Sequence, residues 1–364
     1  MDKKGYLLLA NGRLFEGVLR GANKSVTAEL VFSTSVVGYL GALTDPTYAG
    51  QILIQTFPAI GNYGVIPEDL GREKAHVAGY VCREICDDPS NFRCQGKLDD
   101  LLKEMDIPCL TDIDTRALTR CLRDNGVMNA AILTEKPEGD ALTELLGKLQ
   151  GEPAYPAPEE VAVQELIPAD KPGRCHVAVW DFGAKDGLVA ELTERGCGVT
   201  VVPASATAED ILRLNADGVL LSSGAGDPRT CTGVINELRT LLMERVPMFG
   251  VGLGHQLLAL AAGATVSKLP YGHRGGNQPA KDVKTGLCYM TGQHHGYVVD
   301  ANTLPSGATL RFINGNDGTC EGLDYTELPA FSVQFHPEKG GGPLDTRFLF
   351  DRFIALMGGN KACR

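Results

Sequence analysis

The spacing of apolar residues changes character along this chain. Near the N-terminus, Tyr6–Ala10, Leu14–Leu19 and Ala28–Ser33 read as strands, with Asn11-Gly12 as the first turn. Helical spacing follows at Leu98–Met105 and at Asp114–Asn125, where Asp114 is placed to cap the helix and Gly126 to end it. Ala130–Leu133 returns to strand. Further on, short apolar runs alternate with amphipathic stretches. The strands His176–Phe182, Gly198–Pro203, Gly218–Leu221 and Met248–Val251 are each followed by a helix: Lys185–Glu194, Ala208–Leu214, Val234–Glu244 and Leu253–Ala262. Buried strands that alternate with helices mean βαβ units and a parallel sheet covered on both faces.

Between the two patterns lies a break. Residues 151–173 are rich in Pro and acidic residues and read as an extended linker. The expected organisation is therefore an N-terminal domain over 1–150, the linker, and a C-terminal domain over 174–364. The expected fold class is α/β. The C-terminal domain is a doubly wound, mostly parallel sheet, and the N-terminal domain is α+β, of a β/β/α kind.

Composition narrows the function classes. Hydrophobic residues make up 43% and charged residues 22% of 364, which describes a globular protein. The formal net charge of -11 argues against a nucleic-acid surface. Tyr6–Ala10 is too short for a signal-peptide core or a membrane span, so the expected location is cytoplasmic. The 11 cysteines are scattered and show no zinc-finger spacing, which suits free thiols in a reducing compartment. Five of the seven histidines (His255, His273, His294, His295 and His336) fall in the C-terminal third, the first pointer to a site. His294 and His295 are adjacent and face opposite sides of a strand, so the pair calls for no metal.

Two segments carry the chemistry. The first is Phe249-Gly-Val-Gly-Leu-Gly-His-Gln-Leu-Leu, a strand joined to a helix by a glycine-rich turn. A dinucleotide fingerprint would need glycine at position 255, which is His255, and no Gly-Lys-Ser/Thr phosphate loop occurs. A purely structural turn and a nucleophile elbow both fit. An elbow would hold the residue at 252 in a strained conformation above a helix N-terminus, where backbone N–H groups stabilise an oxyanion. The second segment, Phe331-Ser-Val-Gln-Phe-His-Pro-Glu, sets His336 and Glu338 after an apolar strand, the base and orienter of a catalytic triad.

Taken together, these segments resemble the class I glutamine amidotransferases, and within them the small subunit of carbamoyl-phosphate synthetase. Further stretches carry the likeness across the chain: Leu43-Thr-Asp-Pro-Thr-Tyr, Ile60-Gly-Asn-Tyr-Gly, Ser90-Asn-Phe-Arg and Asp112-Ile-Asp-Thr-Arg-Ala-Leu-Thr-Arg, then Asp181-Phe-Gly-Ala-Lys, Ser222-Ser-Gly-Ala-Gly-Asp-Pro, Gly272-His-Arg-Gly-Gly-Asn and Gln293-His-His-Gly-Tyr. The resemblance implies attack by a cysteine thiolate on the side-chain amide of L-glutamine. Ammonia then passes to a large subunit, which makes carbamoyl phosphate from bicarbonate and ATP for pyrimidine and arginine biosynthesis. It implies a heterodimer or higher oligomer with that subunit. ATP and Mg would be bound there, with no cofactor on this chain. Glutamine-binding positions would be Thr47, Gly224, Gly226, Leu253, Gln256, His294, Gly296 and Tyr297, with Gly224 and Leu253 also supplying backbone oxyanion donors and Lys185 lining the pocket.

The chain departs from the family pattern at the decisive point. The family elbow reads Gly-x-Cys-x-Gly-His-Gln, and the cysteine position here is Gly252. Around it, Ser223 stands for Asn, Ala225 for Pro, His294 for Asn and Tyr297 for Phe, and Gly41 follows Leu40 where the family has Gln-Glu. Two functions remain open: a working amidotransferase subunit, or a non-catalytic structural or regulatory partner of an ammonia-using large subunit.

Overall fold

A computed structural model describes residues 3–71, 74–340 and 342–358. The chain divides into two compact units, residues 1–155 and 156–364.

In the first unit, seven strands close into a barrel. Around it run Lys4–Leu9, Leu14–Gly21, Pro108–Thr111, Gly79–Val81, Gln51–Gln55, Val26–Ser33 and Met128–Leu133, which pairs back onto the first. The two-residue alternation of a strand explains how one segment serves two layers. Leu7 and Leu9 join a core with Ile52, Ile54 and Leu110, while Leu8 packs with Leu149 of the helix Gly139–Leu149. The helix Thr115–Asn125 starts where the Asp114 carboxylate accepts from the Ala117 N–H at 2.9 Å, and Gly126 with φ 85° ends it. Closure of the barrel is not visible in the pattern. Gln51–Gln55 is buried throughout and pairs in parallel on both sides, so it lacks the alternation that marks a half-exposed strand.

The stretch 151–173 is not an extended linker throughout. Pro158 opens a single helical turn, Pro158–Val161, in which Val161 is buried. Ala162 joins the core around Trp180, and the Val163 N–H donates to Asp181 Oδ2 at 2.8 Å. Proline at the first position of a helix loses no intrahelical bond, so this Pro-rich run can hold a helical turn.

The second unit is built on a nine-stranded sheet in the order Gly198–Val202, His176–Phe182, Gly218–Gly224, Met248–Val251, Ala330–Val333, Cys320–Tyr325, Ala308–Asn314, Val266–Asp282, Cys288–Val299. The first five strands run parallel. The rest continue antiparallel. Each face carries its own core. Trp180, Leu221 and Leu257 lie in one, and Val179, Phe249, Val251 and Phe353 in the other, so helices cover both sides of the parallel part. This is the doubly wound α/β architecture, extended by an antiparallel half. Among the described residues no helix is long and apolar enough to cross a membrane.

Candidate active site

Ligands of doubly wound sheets bind past the carboxyl ends of the parallel strands. Four adjacent ends converge here. His176–Phe182 leads to Lys185, Gly218–Gly224 ends at the Gly224–Gly226 loop, Met248–Val251 ends at Gly252, and Ala330–Val333 leads to His336 and Glu338. The Gly252 N–H donates to the Val333 carbonyl at 2.9 Å, which ties the elbow to the strand that carries the histidine.

Gly252 has φ 57° and ψ -113°, a conformation that costs an L residue with a side chain about 1–3 kcal/mol. The helix Leu253–Ala262 begins immediately after it, so Leu253 sits in the first turn, whose N–H groups have no intrahelical acceptor. The turn is this tight because of Gly254, where a Cβ would lie 2.4 Å from the Leu221 carbonyl oxygen. At Gly252 the limits are milder. A Cβ would stand 3.2 Å from Ser223 Cβ and 4.0 Å from the Gln334 carbonyl oxygen. The conformation is that of a nucleophile elbow, and the residue in it has no side chain.

The opposite wall is complete. His336 and Glu338 are fully buried, and His336 Nδ1 lies 2.8 Å from Glu338 Oε1. A carboxylate only accepts, so Nδ1 donates to it and the ring is oriented with Nε2 on its far side. Burial pushes the Glu338 carboxyl up. The charge and hydrogen bond of His336, with the charge of Lys185, outweigh it and hold the group below its ordinary range. Lys185 Nζ lies 3.2 Å from His294 Nδ1, and the His294 and His336 rings stand 5.2 Å apart. The strand Cys288–Val299 reaches this edge because the His336 N–H donates to the Gly292 carbonyl at 2.9 Å.

Gln256, Gly296 and Tyr297 cluster on the same side. The buried Gln256 amide donates to the Tyr297 carbonyl and to Gln334 Oε1, both at 2.9 Å. Gly226 adopts φ 96° in the loop after Gly224, and the Arg229 guanidinium lies 5.4 Å from the Tyr297 ring centroid. Thr47 belongs to the first unit, where its N–H and hydroxyl both donate to Asp45 Oδ1, at 3.0 and 2.8 Å.

Sequence reasoning missed two neighbours of the elbow. Gln334 couples the histidine strand to the elbow helix. Ser223, read only as a departure from a motif, is the side chain nearest a Cβ at 252, and its buried hydroxyl has no hydrogen-bond partner. His255 is enclosed, bonded to Ser332 Oγ at 2.7 Å, and burial lowers its pKa to about 3. It is a neutral packing residue. The ten described cysteines form no disulfide, and Cys363 lies outside the described residues.

The fold and this strand edge define the class. Residues 178–356 match the family model of class-I glutamine amidotransferases. Residues 7–132 match the model for the CPSase domain of the carbamoyl-phosphate synthase small chain. The chain is 43% identical to the carbamoyl phosphate synthase small chain of Syntrophotalea carbinolica, over 98% of this chain and 99% of that one. It is 44% identical to that of Symbiobacterium thermophilum, over 96% and 97%. With the small chain of Archaeoglobus fulgidus it shares 42% identity over 97% and 99%. The chain belongs to the carbamoyl-phosphate synthase small chain family, and its second unit is a class-I glutamine amidotransferase domain.

Proposed function

We infer that this chain serves as the small subunit of a carbamoyl-phosphate synthase whose own glutaminase step is disabled, and that its large-subunit partner draws on ammonia from solution. One observation carries the reading: Gly252 occupies the elbow between Val251 and Leu253, and glycine offers no atom to attack an amide. The His336–Glu338 pair can take up and return a proton, but glutamine hydrolysis in this family also needs a nucleophile to form and release an acyl intermediate. Around the gap, the family resemblance would give the backbone donors to Leu253 and Gly224 and the glutamine contacts to Gly226, Gln256, His294, Gly296 and Tyr297, and this chain keeps residues at all of these positions that could serve so. The product, carbamoyl phosphate, would feed pyrimidine and arginine synthesis, with ATP and Mg handled by the large subunit in the cytoplasm.

A second reading rests on Ser223. Its buried, unpartnered hydroxyl is carried by the side chain nearest a Cβ at 252. In that reading His336 takes the Ser223 hydroxyl proton as the oxygen attacks the amide carbon and gives it to the leaving nitrogen as the C–N bond breaks, and water then cleaves the ester C–O bond, releasing glutamate and returning the hydroxyl to Ser223.

The test is carbamoyl phosphate formation by the complex of this chain with its large subunit, given ATP, bicarbonate and either ammonium or glutamine. Product with ammonium alone supports the first reading. Product with glutamine that Ser223→Ala abolishes supports the second.

A further inference from the structure

The geometry points to a zinc site in the antiparallel half of the second unit, ligated by His273 Nδ1, His295 Nε2 and the Glu321 carboxylate, which pins the strand that carries the pocket residues. It is independent of the function inferred above.

The three residues come from three strands, Val266–Asp282, Cys288–Val299 and Cys320–Tyr325. All are buried, and their ligand atoms lie within 4.8 Å of one another. What singles them out is how each ring is held from behind. His273 Nε2 stands 2.9 Å from Asp317 Oδ2, and His295 Nδ1 stands 2.8 Å from the Tyr297 carbonyl. Both partners are acceptors only, so both outer nitrogens carry protons, and both inner nitrogens face the cluster, where a cation could displace any proton they hold. A histidine whose outer N–H is fixed by a carboxylate or a carbonyl is the usual arrangement around a bound metal.

Inside the cluster the ligand atoms crowd together. His273 Nδ1 lies 3.4 Å from Glu321 Oε1, and His295 Nε2 lies 3.0 Å from Gln293 Oε1. The Gln293 amide nitrogen donates to Thr291 Oγ1 at 3.1 Å, and the Thr291 hydroxyl proton is committed to the Gln278 carbonyl. Asn314 supplies one donor, Nδ2, 2.8 Å from Glu321 Oε1 and 3.4 Å from His273 Nδ1. Glu321 Oε2 is buried and makes no hydrogen bond of ordinary length. A proton on His273 would serve Glu321 Oε1 alone. A divalent cation among the three ligands serves all three together. Two imidazoles and one carboxylate, with a fourth position open, suit zinc. The adjacent His294 and His295 turn to different surroundings. His295 faces this cluster while His294 faces Lys185 and His336.

The experiment uses the full chain without a polyhistidine tag, stripped with chelator and titrated with Zn²⁺ alone, with bound metal counted by elemental analysis. One zinc per chain is expected. Asp317→Asn, which leaves an oxygen for Thr319 but removes the carboxylate behind His273, is expected to weaken binding about 10- to 100-fold. Glu321→Gln, checked for folding by circular dichroism, is expected to lose it. Substitution with Co²⁺ is expected to give a visible band without sulfur-to-metal charge transfer, which separates this site from the cysteines. No binding by the folded wild-type chain, binding unchanged in both variants, or a thiolate signature would overturn the assignment.

Discussion

Two neighbouring strand ends in the second unit have fared differently. At the end of Ala330–Val333, His336 and Glu338 are buried, paired at 2.8 Å and charge-supported by Lys185. At the end of Met248–Val251, the backbone keeps the elbow while Gly252 leaves it without a reacting atom. The contrast separates what folding enforces from what only chemistry needs. Gly254 is enforced by the Leu221 carbonyl, and the Gly252 N–H by its bond to Val333. Nothing in the packing demands a thiol at 252. Glycine there relieves the strain that a catalytic side chain would impose.

The contrast can be sharpened by restoring the missing half. In a chain already carrying Gly252→Cys, His336→Ala is expected to remove about 10²–10⁴-fold of whatever glutaminase rate the thiol supplies. In the unaltered chain the same change should leave ammonium-dependent synthesis untouched. The two comparisons are made by glutamate release and carbamoyl phosphate formation in the complex.

Next in size is a change to the enforced part. Gly254→Ala drives a Cβ against the Leu221 backbone and is expected to cost about 3 kcal/mol. Gly276→Ala, which meets nothing within 4 Å, should stay within about 0.5 kcal/mol. Denaturant unfolding of the two variants measures the difference.

Smaller still is the strain at the elbow. Gly252→Ala is expected to destabilise by about 1 kcal/mol, the low end for a strained backbone position, because the 3.2 Å contact with Ser223 can yield by a few tenths. Adding Ser223→Gly, which removes the contacting Cβ, should recover part of that loss. A loss as large as that at Gly254 would mean that the elbow too is closed to side chains.

The smallest effect is on acid stability. The Glu338 carboxyl lies below its ordinary range when folded, so its ionised form favours the native state. That stability is fully present above the ordinary carboxylate pKa and is lost as pH falls through the lower, folded value. Unfolding midpoints of wild type and Glu338→Gln should therefore differ most near neutrality and converge in acid.

Much of this was legible beforehand because it is local. Asp114 before an amphipathic run and Gly126 after it announce the first unit's capped helix. His176–Phe182, Met248–Val251 and Leu253–Ala262 have the spans that their apolar runs suggest. The motif residues at the four strand ends were readable one by one. What escaped depends on distant pairing. Val266–Asp282 contains Lys, Gly and Pro and has register shifts, so it does not read as one strand. Gln51–Gln55, buried and parallel on both sides, hides the barrel closure. Ser223 lies next to 252 only because Gly218–Gly224 and Met248–Val251 pair side by side. For the same reason the grouping of His273, His295 and Glu321, on three separate strands, was not legible, although the two histidines stand in quoted motifs.

The most direct test of the central claim is glutamate release from glutamine by the complex, measured side by side for the unaltered chain and for Gly252→Cys. The account predicts background release from the first and a clear gain in the second, on the order of 10²-fold or more given what a lost nucleophile costs a triad. Release by the unaltered chain at the rate of the Gly252→Cys variant would contradict it, and would mean that the site hydrolyses glutamine without a side chain at 252.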